Sequence, residues 1–274
     1  MSLQASQFVG SIPENYDQRL GPHIFHEYAE DLAKRVLKAS SSLTAGKVLE
    51  IASGTGIVTR KLRDALSSDF HLVASDLNPP MLAVAQSKFS DGEKVEFRPA
   101  DAMALPFKDA EFEIVVCQFG VMFFPDKTQG YREAARVLKP GGRYMFNVWG
   151  TLDENPFSAI AHDAVEQYFP NDPPGFYKVP FGYTNQDQVM SEMETGGLKN
   201  IKCETVKFEK SVSDWALFAR GLVYGNPLID EIKNRGGVDP NVVVQSIQDA
   251  LRKHFGSEPS AMPLLAKVYS GSVS

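Results

Sequence analysis

Cysteine is scarce in this 274-residue chain: Cys117 and Cys203 are the two, and neither belongs to a CxxC or other metal-ligand spacing. That excludes a disulfide framework and a thiolate metal site, and it suits a reducing compartment. No apolar run approaches the roughly 18 residues that a membrane-crossing helix needs, so no membrane span is expected. No signal peptide is evident, and a cytoplasmic setting is the expectation. Positive charge is not in excess: 28 Lys and Arg stand against 34 Asp and Glu, a net charge of −6. A nucleic-acid backbone calls for a basic face, so nucleic acid is not expected as a partner. The sequence also lacks internal repeats, low-complexity tracts and a Ser/Gly-rich linker. One elaborated domain over 1–274 is therefore expected.

What is present is alternation. Strand-like runs occur at "KVLEIA" (47–52), "FHLVAS" (70–75), "VEFRP" (95–99), "FEIVVCQ" (112–118) and "GRYMFNVW" (142–149). Helical patterns follow the first two, "TRKLRDAL" and "PPMLAVAQSKF", and "TQGYREAARVLK" precedes the fifth. This order predicts an α/β fold with a doubly wound, Rossmann-like, mostly parallel sheet. Ahead of it, "HIFHEYAEDLAKRVLKA" places Tyr28, Leu32 and Val36 on one face of an amphipathic helix. The preceding segment "SQFVGSIPENYDQRLGP" is too broken by glycine and proline for a packed helix, and its apolar residues suit a lid, the alternative being an ordered strap packed on the core. The expected layout is a lid and helix over 1–40, a core over 41–150, and cap helices with the last strands over 151–274. Helical "PFSAIAHDAVEQYF", "NQDQVMSEMETGG" and two or three helices between Ser213 and Phe255 make the cap; "NIKCETVKFEK" and "LLAKVYSGSV" supply strands.

The chemistry centres on "VLEIASGTGIVTRKL", Val48 to Leu62. A strand, a tight glycine turn and a helix start place backbone N–H groups before a ligand. A dinucleotide, a nucleoside triphosphate and S-adenosylmethionine (SAM) are all bound at such turns. A phosphate loop needs a lysine after the glycines, and none follows. A dinucleotide fingerprint needs a third glycine where Thr59 stands. Asp76 ends the second strand, where a carboxylate can accept from both ribose hydroxyls. Asp101 lies beyond the third strand, and with the Ala102 N–H it suits the amine and ring nitrogen of adenine. "NPPM" (Asn78–Met81) follows the second strand, so it reads as a helix cap with proline in the first turn.

Four stretches in order, "VLEIASGTGIVTRKL", "ASDLNPPMLAVA", "ADAMALPFKDAEFEIVVCQFGVMFF" and "AARVLKPGGRYMFNVW", resemble class I SAM-dependent methyltransferases. They are similar in particular to the group related to ubiquinone/menaquinone-biosynthesis C-methyltransferases, over roughly Lys47 to Trp149. The resemblance implies a turn formed by Glu50, Ala52, Gly54 and Gly56 under the methionine part of SAM. It implies Asp76 at the ribose, Leu77 and Met81 flanking the adenosine, and Asp101 with Ala102 at the adenine. Gln118 would line the sulfonium site, with Val121 and Phe123 nearby, and Tyr16 would close over the cofactor. Ala52 departs from the commoner glycine. S-adenosylhomocysteine (SAH) would be the product, and no metal is called for.

Past the strand ends, the aromatics Phe157, Tyr168, Phe169, Phe176, Tyr177, Phe181 and Tyr183 suit a small apolar or aromatic acceptor molecule. Val121, Phe123, Tyr183, Arg220 and Tyr224 are candidates for acceptor contacts. His23, His26 and His162 are candidates for a general base, though methyl transfer depends chiefly on alignment and desolvation, and no base is assigned. The leading reading is a small-molecule methyltransferase. A nicotinamide-dependent oxidoreductase and a non-catalytic SAM-binding protein are the alternatives.

Overall fold

The computed structural model describes residues 7–274, so the first six residues of the expected lid lie outside the described residues. Strands β1 (Gly46–Ile51), β2 (Phe70–Asp76), β3 (Val95–Pro99), β4 (Phe112–Gln118), β5 (Leu138–Trp149), β6 (Lys199–Val212) and β7 (Ser260–Ser272) form one sheet among the described residues. Their spatial order is β3-β2-β1-β4-β5-β7-β6, parallel except for β7, which runs antiparallel to both neighbours. Central strands are covered on both faces, which is why they read as unbroken apolar runs: Val48, Leu49, Val115 and Val116 are fully buried. The strand order reverses at the β1/β4 pair, where Glu50 lies opposite Val116. Ligands of doubly wound sheets bind outside the carboxyl ends of strands at such a point.

Helices α3 (Ile57–Ala65), α4 (Pro79–Gln86) and α5 (Lys127–Val137) cross between strands. The expected run of α5 through Lys139 stops at Val137, because Pro140 disfavours helical backbone at the residue before it. The chain enters β5 at once, four residues earlier than the sequence pattern suggests. Between β5 and β6 lie α6 (Pro156–Glu166) and α7 (Gln186–Thr195). Between β6 and β7 lie α8 (Trp215–Tyr224), α9 (Leu228–Arg235) and α10 (Pro240–Phe255). Trp215, Phe218, Val243, Ile247 and Leu251 knit this cap together, and it shares one continuous core with the sheet.

The N-terminal segment departs from expectation. It is helical and packed: α1 (Ile12–Asn15) leads into a π-helical stretch, Tyr16–Phe25, and then into α2 (His26–Ala39). Pro22 lacks an N–H and crowds the carbonyl of the preceding turn. The wider i→i+5 spacing, with His26 N–H donating to the Gly21 carbonyl, carries the helix past the proline. Ile12, Leu20, Ile24 and Phe25 are buried by it, as are Tyr28, Leu32 and Val36 on the face of α2 read from the sequence.

Candidate active site

At the carboxyl ends of β1, β2, β4 and β5 a cavity of about 370 Å³ opens under the N-terminal helix and the cap. The turn after β1 forms its floor on one side. Ser53 N–H donates to the Ser75 carbonyl at 2.9 Å and Gly56 N–H to the Ser53 carbonyl at 2.9 Å, which closes a tight loop. Gly56 has φ +78°, and a β-carbon there would come within 2.8 Å of the Ala85 methyl, so glycine is required. Ala52 takes the left-handed conformation too, φ +53°. An alanine pays about 1–2 kcal/mol for that. Its methyl is accommodated because its neighbour is Gly120, whose own β-carbon would lie 2.6 Å from it.

Asp76 organises the turn. Its Oδ2 accepts Gly54 N–H at 2.9 Å, and its Oδ1 accepts Asn78 N–H at 2.8 Å. Burial raises its pKa, and these hydrogen bonds pull the other way. Glu50 stands behind the turn. Burial pushes its carboxyl up to about 8, and the Asp76 charge adds to that, while Thr59 Oγ1–H donates to Oε2 at 2.6 Å and opposes it. Asp101 Oδ1 accepts Met103 N–H at 2.9 Å at the far rim.

The N-terminal helix roofs this half. Tyr16 stacks on Phe25 with ring centres 4.7 Å apart and meets Phe8 edge-on. Burial, and then the Asp76 charge, raise the Tyr16 phenol pKa, so it stays neutral. Asp17 accepts from Thr55 Oγ1 at 2.6 Å and pairs with Lys88, while Phe8 N–H donates to Asn78 Oδ1.

The opposite half is an aromatic wall. Phe119 lies flat on Trp149, ring centres 4.0 Å apart and planes 6° from parallel, and Trp149 continues to Phe181 and Phe157. Phe176 meets Phe123 at 6.3 Å, and Asn226 adds a carboxamide.

Of the residues singled out from sequence, Tyr16, Ala52, Gly54, Asp76, Leu77, Met81, Asp101, Ala102, Gln118 and Phe123 line this one cavity. Glu50 and Gly56 support the turn from behind. Val121 points into the core, fully buried, and Met122 beside it lines the cavity instead. Tyr183 lies behind the wall, hydrogen-bonded to Tyr131 and Glu192, and borders a neighbouring pocket. Arg220 and Tyr224 stack on each other on the outside of α8, both bonded to Asn241. Phe218 and Leu222, four apart, occupy the buried face of α8; positions offset by two turn away from it. No histidine lines the cavity among the described residues. His23 bonds the Arg19 carbonyl and packs on Phe218, and burial lowers the pKa of both His23 and His26. His162 is buried on α6. Phe8, Phe25, Phe119, Trp149 and Asn226 line the cavity without having been singled out as site residues. Phe119 and Trp149 carry a positional signal, since each stands at the carboxyl end of a strand beside the switch point.

Among the described residues the lining holds no lysine or arginine, and its carboxylates sit on the side of the glycine turn. Such a surface suits a sulfonium cation and an adenosine and gives a pyrophosphate no counter-charge. The ubiE/COQ5 methyltransferase family matches residues 5–172. The chain belongs to that family. It is 38% identical over 136 residues to the ubiquinone/menaquinone biosynthesis C-methyltransferase UbiE of Hahella chejuensis, 48% of this chain and 54% of that protein. The alignment thus spans about half the length of that relative. Against the demethylmenaquinone methyltransferase of Staphylococcus saprophyticus it is 35% identical over 213 residues, 73% of this chain and 89% of that one. In fold it is similar to Haemonchus contortus phosphoethanolamine N-methyltransferase 2 in complex with SAM: TM-score 0.61, 16% identity, covering 99% of this chain and 59% of that chain. This ubiE/COQ5 member is a SAM-dependent methyltransferase with SAM as its cofactor, which sets aside the nicotinamide reading. Among the described residues no helix is long and apolar enough to cross a membrane.

Proposed function

We propose that the protein transfers the methyl group of SAM to a ring carbon of a small, reduced quinone-type molecule. The observation that carries this is the aromatic wall around the Phe119–Trp149 stack. It is uncharged, aromatic, and continuous with the carboxylate-bearing half of the same cavity. In that half, Asp76 accepts from the ribose, Leu77 and Met81 flank the adenosine, and Asp101 with the Ala102 N–H reads adenine. Ala52 and Gly54 shape the floor under the methionine part, with Glu50 and Gly56 holding the turn. Tyr16 and the helix around it cover that end.

SAM bound there supplies a methyl group on a sulfonium, whose leaving thioether is neutral. The chain supplies alignment and dryness. Stacked rings hold a planar acceptor in one orientation, and the packed helix keeps water from the reacting atoms. A hydroquinone ring is nucleophilic through its own ionised hydroxyl, which gives its proton to water before the acceptor is enclosed. The ring proton displaced by the methyl group then returns to that oxygen by way of water, and no side-chain base is assigned. Two cysteines left as free thiols accord with a cytoplasmic setting. The names of the similar methyltransferases support a quinone-type acceptor.

The test is incubation of the protein with methyl-labelled SAM and a reduced 2-prenyl-1,4-naphthoquinone, followed by mass spectrometry. Label on a ring carbon together with SAH formation is expected. Label on oxygen, or transfer to phosphoethanolamine and none to the quinol, would overturn the reading.

A further inference from the structure

A short chain of amides runs beneath the aromatic wall, and its direction is fixed at both ends by backbone. Asn147, fully buried in β5, lies directly opposite Gln118 at the end of β4. Its Oδ1 accepts the Phe119 N–H at 3.0 Å. A backbone N–H can only donate, so this contact determines which branch of the Asn147 carboxamide is oxygen. The other branch, Nδ2, then donates to Gln118 Oε1 at 3.4 Å. Gln118 Nε2 in turn donates to the Phe25 carbonyl at 3.3 Å, and a carbonyl can only accept. Reversing Gln118 would set donor against donor at one end and acceptor against acceptor at the other. The same contact anchors Phe119, which has φ +50° and carries one ring of the stack. Gln118 is half-buried and lines the cavity, and its Nε2 has two hydrogens, of which the Phe25 carbonyl takes one.

We infer that Gln118 meets the acceptor molecule as a hydrogen-bond donor, and that Asn147 is a positioning residue that holds this polarity together with the Phe25 carbonyl. The group it serves is a carbonyl or ionised hydroxyl oxygen on the acceptor ring. An oxygen held there carries the charge that makes the adjoining ring carbon nucleophilic. The inference deepens the proposed C-methylation and rests on the cavity half assigned to the acceptor.

Two ring probes separate donor from acceptor. The oxygens of 2,3-dimethyl-1,4-naphthoquinone can only accept, whereas the hydroxyl of 1-naphthol can donate or accept. Calorimetric titration of SAH-loaded protein with each probe reads the polarity directly. Gln118→Met should lower the affinity for the dione about tenfold, the worth of one hydrogen bond. Asn147→Leu leaves the Phe119 N–H its second acceptor, the residue-147 carbonyl at 3.2 Å, and removes one of the two contacts that orient Gln118, the Phe25 carbonyl keeping the other. It should lower dione affinity about threefold, less than Gln118→Met does, while 1-naphthol binding stays within about twofold, and it should add nothing on top of Gln118→Met. Dione affinity unchanged in Gln118→Met, or equal loss of both probes in Asn147→Leu, would overturn the inference. Turnover of the reduced prenyl naphthoquinone is scored separately. Probe binding as expected without turnover keeps the donor and removes C-methylation. Turnover without any dione preference removes the donor alone.

Discussion

Replacing Glu50 by glutamine should stabilise the unliganded protein and remove a pH dependence from its folding. Glu50 sits in β1 between β2 and β4, 1% exposed, with the Thr59 hydroxyl as its hydrogen-bond donor. Burial raises its carboxyl from 4.5 to about 8, and Asp76 adds to the shift. The folded chain therefore keeps a proton that the unfolded chain has already released. A raised carboxyl gives stability that is fully present below the unfolded value and is lost as pH rises to the folded one. The window runs from about 4.5 to about 8. Within it the slope is about −1.4 kcal/mol per pH unit, and the integrated loss has an upper bound of about 5 kcal/mol. Glutamine keeps an oxygen for Thr59 and carries no charge. The measurement is urea unfolding followed by tryptophan fluorescence at half-unit steps of pH, with the m-value checked for constancy. Subtracting the two curves isolates Glu50 from every other titrating group. The variant should gain on the wild type steadily from about pH 5 to about pH 8, ending a few kcal/mol ahead. A difference that is flat across that window, or that grows toward acid, would refute the reasoning.

Asp76→Ala should weaken SAM binding by about 100-fold or more, since two hydrogen bonds to a charged group are worth roughly 1.5–3 kcal/mol each. Asp69→Ala, exposed ahead of β2, should leave it unchanged by calorimetry; equal affinities of the two folded variants would remove Asp76 from the site. Gly120→Ala should cost about 2 kcal/mol by overpacking, because its methyl would stand 2.6 Å from both the Ala52 methyl and Cys117 Sγ. Ala52→Gly should recover part of that loss in the double variant, and strict additivity in urea unfolding would contradict the contact. Asp17→Ala removes the tie from the π-helical stretch to Thr55 and Lys88, so amide exchange over residues 8–25 should quicken in the free protein. SAM should slow exchange there in the wild type if the helix opens to admit it, and indifference to both substitution and ligand would show a fixed strap.

The sheet was legible because its central strands are buried on both faces. Burial of that kind turns the chain into continuous β-branched and aromatic runs, and the span of β4 follows from the sequence to the residue. Helix ends were less legible where the stop signal lies beyond the last helical residue, as with Pro140 after α5. The N-terminal helix was misread for a related reason. Gly21 and Pro22 normally punctuate, and an α-helix would break there. The widened turn accepts the proline, and burial of Leu20, Ile24 and Phe25 repays the poorer hydrogen-bond geometry. A propensity argument weighs the proline and has no view of the surface that the helix will cover.

The two halves of the cavity differ in how far sequence could reach them, and the cause is topological. Ala52, Gly54, Asp76 and Asp101 stand at or just past the ends of β1, β2 and β3, and neighbouring parallel strands deliver their ends to one edge whatever the rest of the chain does. Residues of the other half arrive by three routes: the ends of β4 and β5, the N-terminal helix, and a cap whose helices enter through two separate connections. Only the first route is local. Helix phase alone would have redirected attention from Arg220 and Tyr224 to Phe218 and Leu222, because the apolar pair must face the core. Asn226 carries no such signal. It reaches the cavity from the turn between α8 and α9, where its side chain bonds the Leu222 carbonyl and the Leu228 N–H. A carboxamide spent on closing a turn is indistinguishable in sequence from one aimed at a ligand. Cofactor recognition is thus written in strand order, and acceptor recognition in tertiary packing, where it can diverge while the cofactor half stays unchanged.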